Sequence, residues 1–347
     1  MLVLLGLFAL LCLAGMKLTW KKGETADYLS VPHTQSIKGI FILLVFFSHF
    51  NSYAVFISSG DLLYRHVLSY FGQTMVTLFL FYSGYGVMES IRKKGEAYVQ
   101  SIPMKRILAT LFRFNCAVVL FVLLGWVQGD SFTPGQLLLS LIGWESVGNS
   151  NWYIFVILVL YVFTYAAFSL FRKRGAAVSL LALTCMCLVY ILVISGWNLK
   201  PFHWYDTVLC YPLGMAYALY RKPVEKVVNR NRGVYLCFLA LFGGIFLVCL
   251  PFAETPGIMY IRNISFTLMI VLGTMRVTLH NPVLSFCGQN LFELYILQRI
   301  PMAVFARTPL AGTPVIYFVV CFAVTLAMMV PFKWVTNKGW NILVSRK

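Results

Sequence analysis

Lys38 and His49 are the two residues whose types and spacing best suit chemistry. They lie on one apolar stretch, SIKGIFILLVFFSHFN from Ser36 to Asn51. If this stretch is a helix, a separation of eleven residues is three turns plus about 20°, with a rise of roughly 16 Å. The two side chains then share a face, with a cation near one membrane surface and an imidazole about halfway across. This layout suits an anionic substrate that enters beside the cation and reacts at a neutral imidazole acting as general base. An ionisable group at the centre of a spanning helix costs roughly 2.5–3.5 kcal/mol, which makes each one a candidate for function. Two blander roles stand beside this one: a snorkelling anchor for Lys38, and a helix-packing hydrogen bonder for His49 between Ser48 and Asn51.

Few other groups compete. Lys105 and Arg106 precede an apolar run, and Arg113 follows seven residues after Arg106, nearly on the same helical face. Glu293 and Arg299 are six residues apart, about 120° around a helix, so each calls for a partner on another helix. For Glu293 that partner is His49 or Lys38, which it would orient, or Arg113 in a structural ion pair. His33, His66, His203 and His280 read as lone loop residues with solvated roles. All nine cysteines lie in or beside apolar segments, without metal-ligand spacing, so no metal site is expected.

The surroundings of these residues are set by composition. The chain has 347 residues, of which 60% are hydrophobic and 11% charged, with a mean hydropathy of +0.81. A soluble domain is about one quarter charged, so soluble folds and disordered tails are excluded. The expected fold is an all-α integral membrane protein, with lipid as its main solvent. Eleven candidate spans fall between charged and Pro/Gly-rich breaks: 2–20, 37–57, 67–89, 107–128, 151–171, 176–196, 204–220, 234–252, 258–275, 289–306 and 314–335. They comprise about ten core helices in a domain over 25–347, plus one extra N-terminal helix in an anchor over 1–24. That first segment offers small residues near Cys12 and Gly15, as a cleaved signal would. Its positive charges follow the apolar run instead of preceding it, which favours a retained helix.

The formal net charge of +17 arises from 28 Lys and Arg against 11 Asp and Glu. These cations cluster in alternate loops: Lys17, Lys21 and Lys22; Arg92 to Arg106; Arg172 to Arg174; Arg221 to Arg232; Arg276; and Lys333 to Lys347. The positive-inside pattern places the N-terminus outside and the C-terminus in the cytoplasm. No basic stripe is interleaved with stacking aromatics, so no nucleic-acid partner is expected. The opposite loops hold Asp61, Asp130, Trp144, Glu145, Asn149, Asn151, Trp152, Trp197, His203, Trp204 and Asp206. That mixture suits a sugar-like ligand and equally an interfacial aromatic belt.

These residues resemble membrane acyltransferase family 3, the bacterial integral-membrane O-acyltransferases of surface polysaccharides. The Lys38-x10-His49 spacing is similar to the family's Arg/Lys-x10-His opening. In order along the chain follow Leu78 to Tyr85 (LFLFYSGY), Lys105-Arg106, Asn151 to Tyr153, and Leu284 to Tyr295 (LSFCGQNLFELY). Lys38 stands where Arg is common, and Gln298 where several relatives have His.

The resemblance implies transfer of an acyl group, acetyl foremost, from cytoplasmic acyl-CoA to a hydroxyl of an envelope glycan in the bacterial plasma membrane. It assigns catalysis to His49, Lys38 and Glu293, and the donor's phosphates and deeper negative charge to Lys38, Lys105, Arg106 and Arg113. The expected partners are the acyl-CoA donor, a carbohydrate acceptor and membrane lipid. Two other readings stay open: a secondary transporter using His49, Arg113 and Glu293 as a proton relay, and a non-catalytic module that binds an envelope ligand.

Overall fold

The computed structural model describes residues 1–19, 27–56 and 58–345. The expected topology signals Lys21, Lys22, Arg346 and Lys347 lie outside the described residues. In chain order the helices are α1 (Leu2–Leu13), α2 (Val31–Phe50), α3 (Ser59–Phe71), α4 (Thr74–Lys94), α5 (Glu96–Ile102), α6 (Ala109–Gln128), α7 (Pro134–Ser140), α8 (Trp152–Leu170) and α9 (Ala176–Gly196). They continue as α10 (Cys210–Val228), α11 (Arg232–Cys249), α12 (Ile258–Thr274), α13 (Pro282–Gln289), α14 (Leu291–Leu297), α15 (Arg299–Phe305) and α16 (Pro314–Ser345). Among the described residues the regular structure is helical except for one antiparallel ribbon, in which β1 (Met16–Leu18) pairs with β2 (Val277–Leu279).

Six stretches among the described residues are long and apolar enough to cross a membrane: α2, the rod from Glu96 to Gln128, α8, α9, the rod from Arg232 to Phe252, and α16. The full expected set of eleven is not established. At 1.5 Å per residue, the 12 residues of α1 reach only about 18 Å, short of a core of roughly 30 Å. The run 289–306 is divided at Asn290 and Gln298 into pieces of a helix. The run 67–89 is divided by Gly72 and Gln73, so its beginning belongs to α3 and its remainder to α4. Ser58 caps α3 by accepting from the Asp61 amide at 3.1 Å. In the rod from Glu96 to Gln128, α5 passes through a π-helical turn over Pro103–Leu108 before continuing as α6.

Two helix crossings hold the site's scaffold. Gly39 of α2 faces the Leu284 carbonyl of α13, and Gly288 of α13 faces the Gln35 carbonyl of α2. Gly84 of α4 and Gly214 of α10 are placed in the same reciprocal way against the Tyr211 and Phe81 carbonyls. Between helices that compete with lipid for contact, small residues permit the close backbone approach from which dispersion energy comes. On its other side α2 carries an aromatic core, with Phe47 stacked on Phe318 of α16 at 4.4 Å between centroids and Phe46 edge-on to the same ring at 5.1 Å.

The charges mark two ends. At the basic end, Arg221 bonds Glu225 at 2.7 Å and Arg92 bonds the Ala218 carbonyl at 3.0 Å. At the opposite end, Lys200 pairs with Glu145 at 2.8 Å and Arg307 lies 3.9 Å from Asp130.

Candidate active site

Polar side chains gather inside the bundle in two groups, both built by α2, α4 and α8. Toward the basic end, the Lys38 ammonium lies 5.7 Å from the centre of the Tyr82 ring of α4. Beside it, Arg106 donates from Nε to the Tyr98 hydroxyl at 3.2 Å and sits 5.9 Å from the Tyr161 ring centre on α8. The Tyr161 hydroxyl is 3.0 Å from Ser83 Oγ, and the Tyr211 hydroxyl is 3.0 Å from Thr164 Oγ1. Two cations are therefore surrounded by phenols, which are groups that can donate to an anion.

The second group surrounds His49. A pocket of about 210 Å³ is lined by Ser48, His49, Gln73, Trp152, Tyr295 and Arg299, together with His203. The His49 and Tyr295 rings are 6.0 Å apart between centroids, Tyr295 and Tyr153 are 5.4 Å apart, and Trp152 and His203 are 5.6 Å apart. Tyr153 and Tyr161 fall two turns apart on α8, so this helix lines the interior from Arg106 to the pocket. Among the described residues, His49 Nδ1 and Arg299 Nε are buried without a hydrogen-bond partner. Buried polar groups are usually satisfied, so two unpaired nitrogens beside one cavity are groups that a bound ligand could satisfy. In the loop at its edge, burial lowers the His203 imidazole below its ordinary range, so it lines the pocket as a neutral group.

Lys38 and His49 both face α4, as their spacing implies: Lys38 meets Tyr82, and the His49 pocket includes Met75 and Val76. The expected depth of His49 is corrected. Because α2 ends at Phe50, His49 is its penultimate residue, and its pocket is bounded by Gly72, Gln73 and Trp152 at the beginnings of α4 and α8. The imidazole thus lies near the end opposite the basic one, not midway.

The remaining expected site residues do not join these groups. Lys105 is exposed. Arg113 donates to Asn337 Oδ1 of α16 at 2.9 Å, away from the tyrosines around Arg106. The π-helical turn under-winds the backbone, which rotates Arg113 off the face that a uniform α-helix would share with Arg106. Glu293 is buried at 5% exposure, and among the described residues it forms no ion pair and no hydrogen bond to His49 or Lys38.

In place of Glu293 the structure brings Tyr295, Arg299, Trp152 and His203 to the imidazole. Arg299 carries a legible signal, an ionisable residue inside an apolar run. His203, read as a solvated loop residue, carries none, because the turn that folds it over the pocket is set by tertiary packing.

The family model described as an acyltransferase domain, that of acyltransferase family 3, matches residues 35–334. The chain belongs to this acyltransferase family. No curated protein and no solved structure matches it. The acyltransferase domain takes in α2 through most of α16 and therefore both polar groups, whereas α1 and the ribbon strand β1 precede it. The resemblance read from the Lys38-x10-His49 stretch is borne out, and the protein is a multi-pass membrane acyltransferase, using an acyl donor and an acceptor.

Proposed function

We propose that this acyltransferase moves an acetyl group from acyl-CoA to a hydroxyl of an envelope glycan. The observation that carries the reading is the unpaired His49 imidazole in a pocket at one end of a polar interior, with Lys38 and Arg106 at the other. Its orientation is the one implied by the loop charges, with the basic end in the cytoplasm of a bacterial plasma membrane, N-terminus outside and C-terminus inside. The segment 1–24 serves as a retained anchor for the domain over 25–347.

Lys38 and Arg106 are suited to the phosphates of coenzyme A. The ammonium acts as a point charge and the guanidinium as a planar donor. The tyrosine-lined interior fits the polar arm that links those phosphates to the thioester. At the pocket, the acceptor oxygen attacks the thioester carbonyl carbon while His49 takes the hydroxyl proton. The carbon–sulfur bond breaks, and the proton passes from the imidazole to the departing thiolate, which leaves an ester and a free thiol.

The test is expression of wild type and His49→Ala at matched membrane levels in a host lacking its own copy, with alkali-labile esters on envelope glycans quantified by mass spectrometry. Loss of a general base costs roughly 10²–10⁴-fold, so the ester formed by wild type is expected to vanish in the variant. An ester of equal abundance in both strains would remove His49 from the reaction.

A further inference from the structure

If His49 receives the acceptor hydroxyl as proposed above, the lining of its pocket bears on the acceptor's charge. The pocket beside His49 contains one guanidinium, Arg299, and no carboxylate. Arg299 opens α15 within the bundle, its Nε is buried without a partner, and it acts electrostatically on His49.

Several acids of this end of the molecule are already engaged. Glu145 is held by Lys200 at 2.8 Å and Asp130 lies 3.9 Å from Arg307, while Asp206 lies 3.8 Å from Arg262 and accepts from Asn263 at 3.3 Å. Among the described residues, no carboxylate comes within ion-pair distance of Arg299. An arginine inside a membrane bundle ordinarily faces a counter-charge or a water-filled cavity that serves function. Here it faces the cavity in which the acceptor must place its hydroxyl.

The rest of the lining is rich in donors. Arg299 offers its guanidinium, Trp152 its indole N–H, Gln73 its amide, and Ser48 and Tyr295 their hydroxyls. A pocket for a neutral sugar benefits from carboxylates that accept from the sugar's hydroxyls, and this one has none. Guanidinium matches the planar geometry of carboxylate and phosphate oxygens.

We propose that the acceptor is an anionic glycan, and that Arg299 binds an acidic group, carboxylate or phosphodiester, close to the hydroxyl that His49 deprotonates. Arg299 therefore selects the acceptor and sets the distance between its hydroxyl and the imidazole, whereas Lys38 and Arg106 serve the donor.

The experiment uses the same host carrying wild type, Arg299→Lys or Arg299→Gln. Glycans are separated by anion exchange into acidic and neutral fractions, and the ester-bearing residue is mapped by mass spectrometry, which distinguishes a uronic-acid carboxylate from a phosphodiester. The isolated wild-type acceptor, de-esterified, is then titrated onto membranes supplied with acetyl-CoA. The ester is expected in the acidic fraction. Arg299→Gln is expected to raise the half-saturating glycan concentration at least about tenfold, the equivalent of one charge-assisted hydrogen bond, with Arg299→Lys intermediate. A loss confined to the maximal rate would mean that Arg299 acts only in the transition state and would overturn the proposal, as would an ester confined to the neutral fraction. Absence of any His49-dependent ester would remove the underlying acyl-transfer reading instead.

Discussion

Replacing Gly39 with alanine tests whether the α2–α13 crossing positions Lys38 and His49 for the proposed reaction. A Cβ at Gly39 would stand 1.9 Å from the Leu284 carbonyl oxygen, whereas ordinary contact begins at 3.4 Å. The obstacle is backbone and cannot swing away, so α2 must move from α13 by about 1.5 Å if the helices separate along the line of contact. Overpacking of this kind costs roughly 1–3 kcal/mol. Since α2 bears both Lys38 and His49, a displacement near 1 Å is also expected to cost about 10² in rate.

Gly288→Ala makes the reciprocal clash, at 1.8 Å from the Gln35 carbonyl. One separation relieves both contacts, so the double variant should lose less stability than the sum of the two singles. Gly86, on α4 with nothing within 4 Å of an added Cβ, is the control: alanine there should be neutral or stabilise by up to about 1 kcal/mol through helix propensity. The assay is thermal unfolding of the purified protein in detergent, paired with ester formation in cells. An unchanged Tm for Gly39→Ala, strictly additive losses, or a Gly86→Ala penalty as large as that of Gly39→Ala would refute the reasoning.

Two further outcomes follow from the same geometry. Burial lowers the His203 imidazole, so below its ordinary value of 6.5 the native state binds fewer protons than the unfolded chain, and stability falls as pH drops through that window. Tm should decline between about pH 7.5 and about pH 5, and His203→Gln should make the decline shallower; an identical slope in both proteins would exclude this histidine as its source. Arg106→Gln should raise the half-saturating acyl-CoA concentration about tenfold by removing a charge-assisted contact, and exposed Lys105→Gln should shift it less. Thiol release from acyl-CoA by isolated membranes measures both, and a larger effect at Lys105 would reverse their assignment.

What was legible in the sequence was the part governed by helical repetition. The common face of Lys38 and His49 follows from 3.6 residues per turn over an unbroken run, and α2 realises it because its glycine and serine positions leave the helix regular from Val31 to Phe50. Departures from uniform repetition defeated the reading elsewhere. The turn over Pro103–Leu108 changes the phase between Arg106 and Arg113. Asn290 and Gln298 divide one expected span into short helices, and the ribbon pairs Lys17 with Thr278 across most of the chain. Each is a local interruption whose side chains, taken alone, are compatible with continuous helix or loop.

The same contrast explains the two polar groups. Lys38, Tyr82 and Tyr161 project from helix interiors, where neighbours three and four residues away fix each face, so their convergence near the basic end is largely a consequence of periodicity, whereas Arg106 joins them from the π-helical turn. The His49 pocket is assembled from helix ends and turns: Gln73 at the start of α4, Trp152 at the start of α8, His203 in a loop and Arg299 at the start of α15. Helix ends free the backbone to change direction, which allows residues far apart in sequence to enclose a cavity that no single face could form. They also leave no repeating pattern to follow. The pocket is therefore placed where sequence periodicity stops, and the cation that lines it, Arg299, was visible as an ionisable residue in an apolar run before its neighbours were.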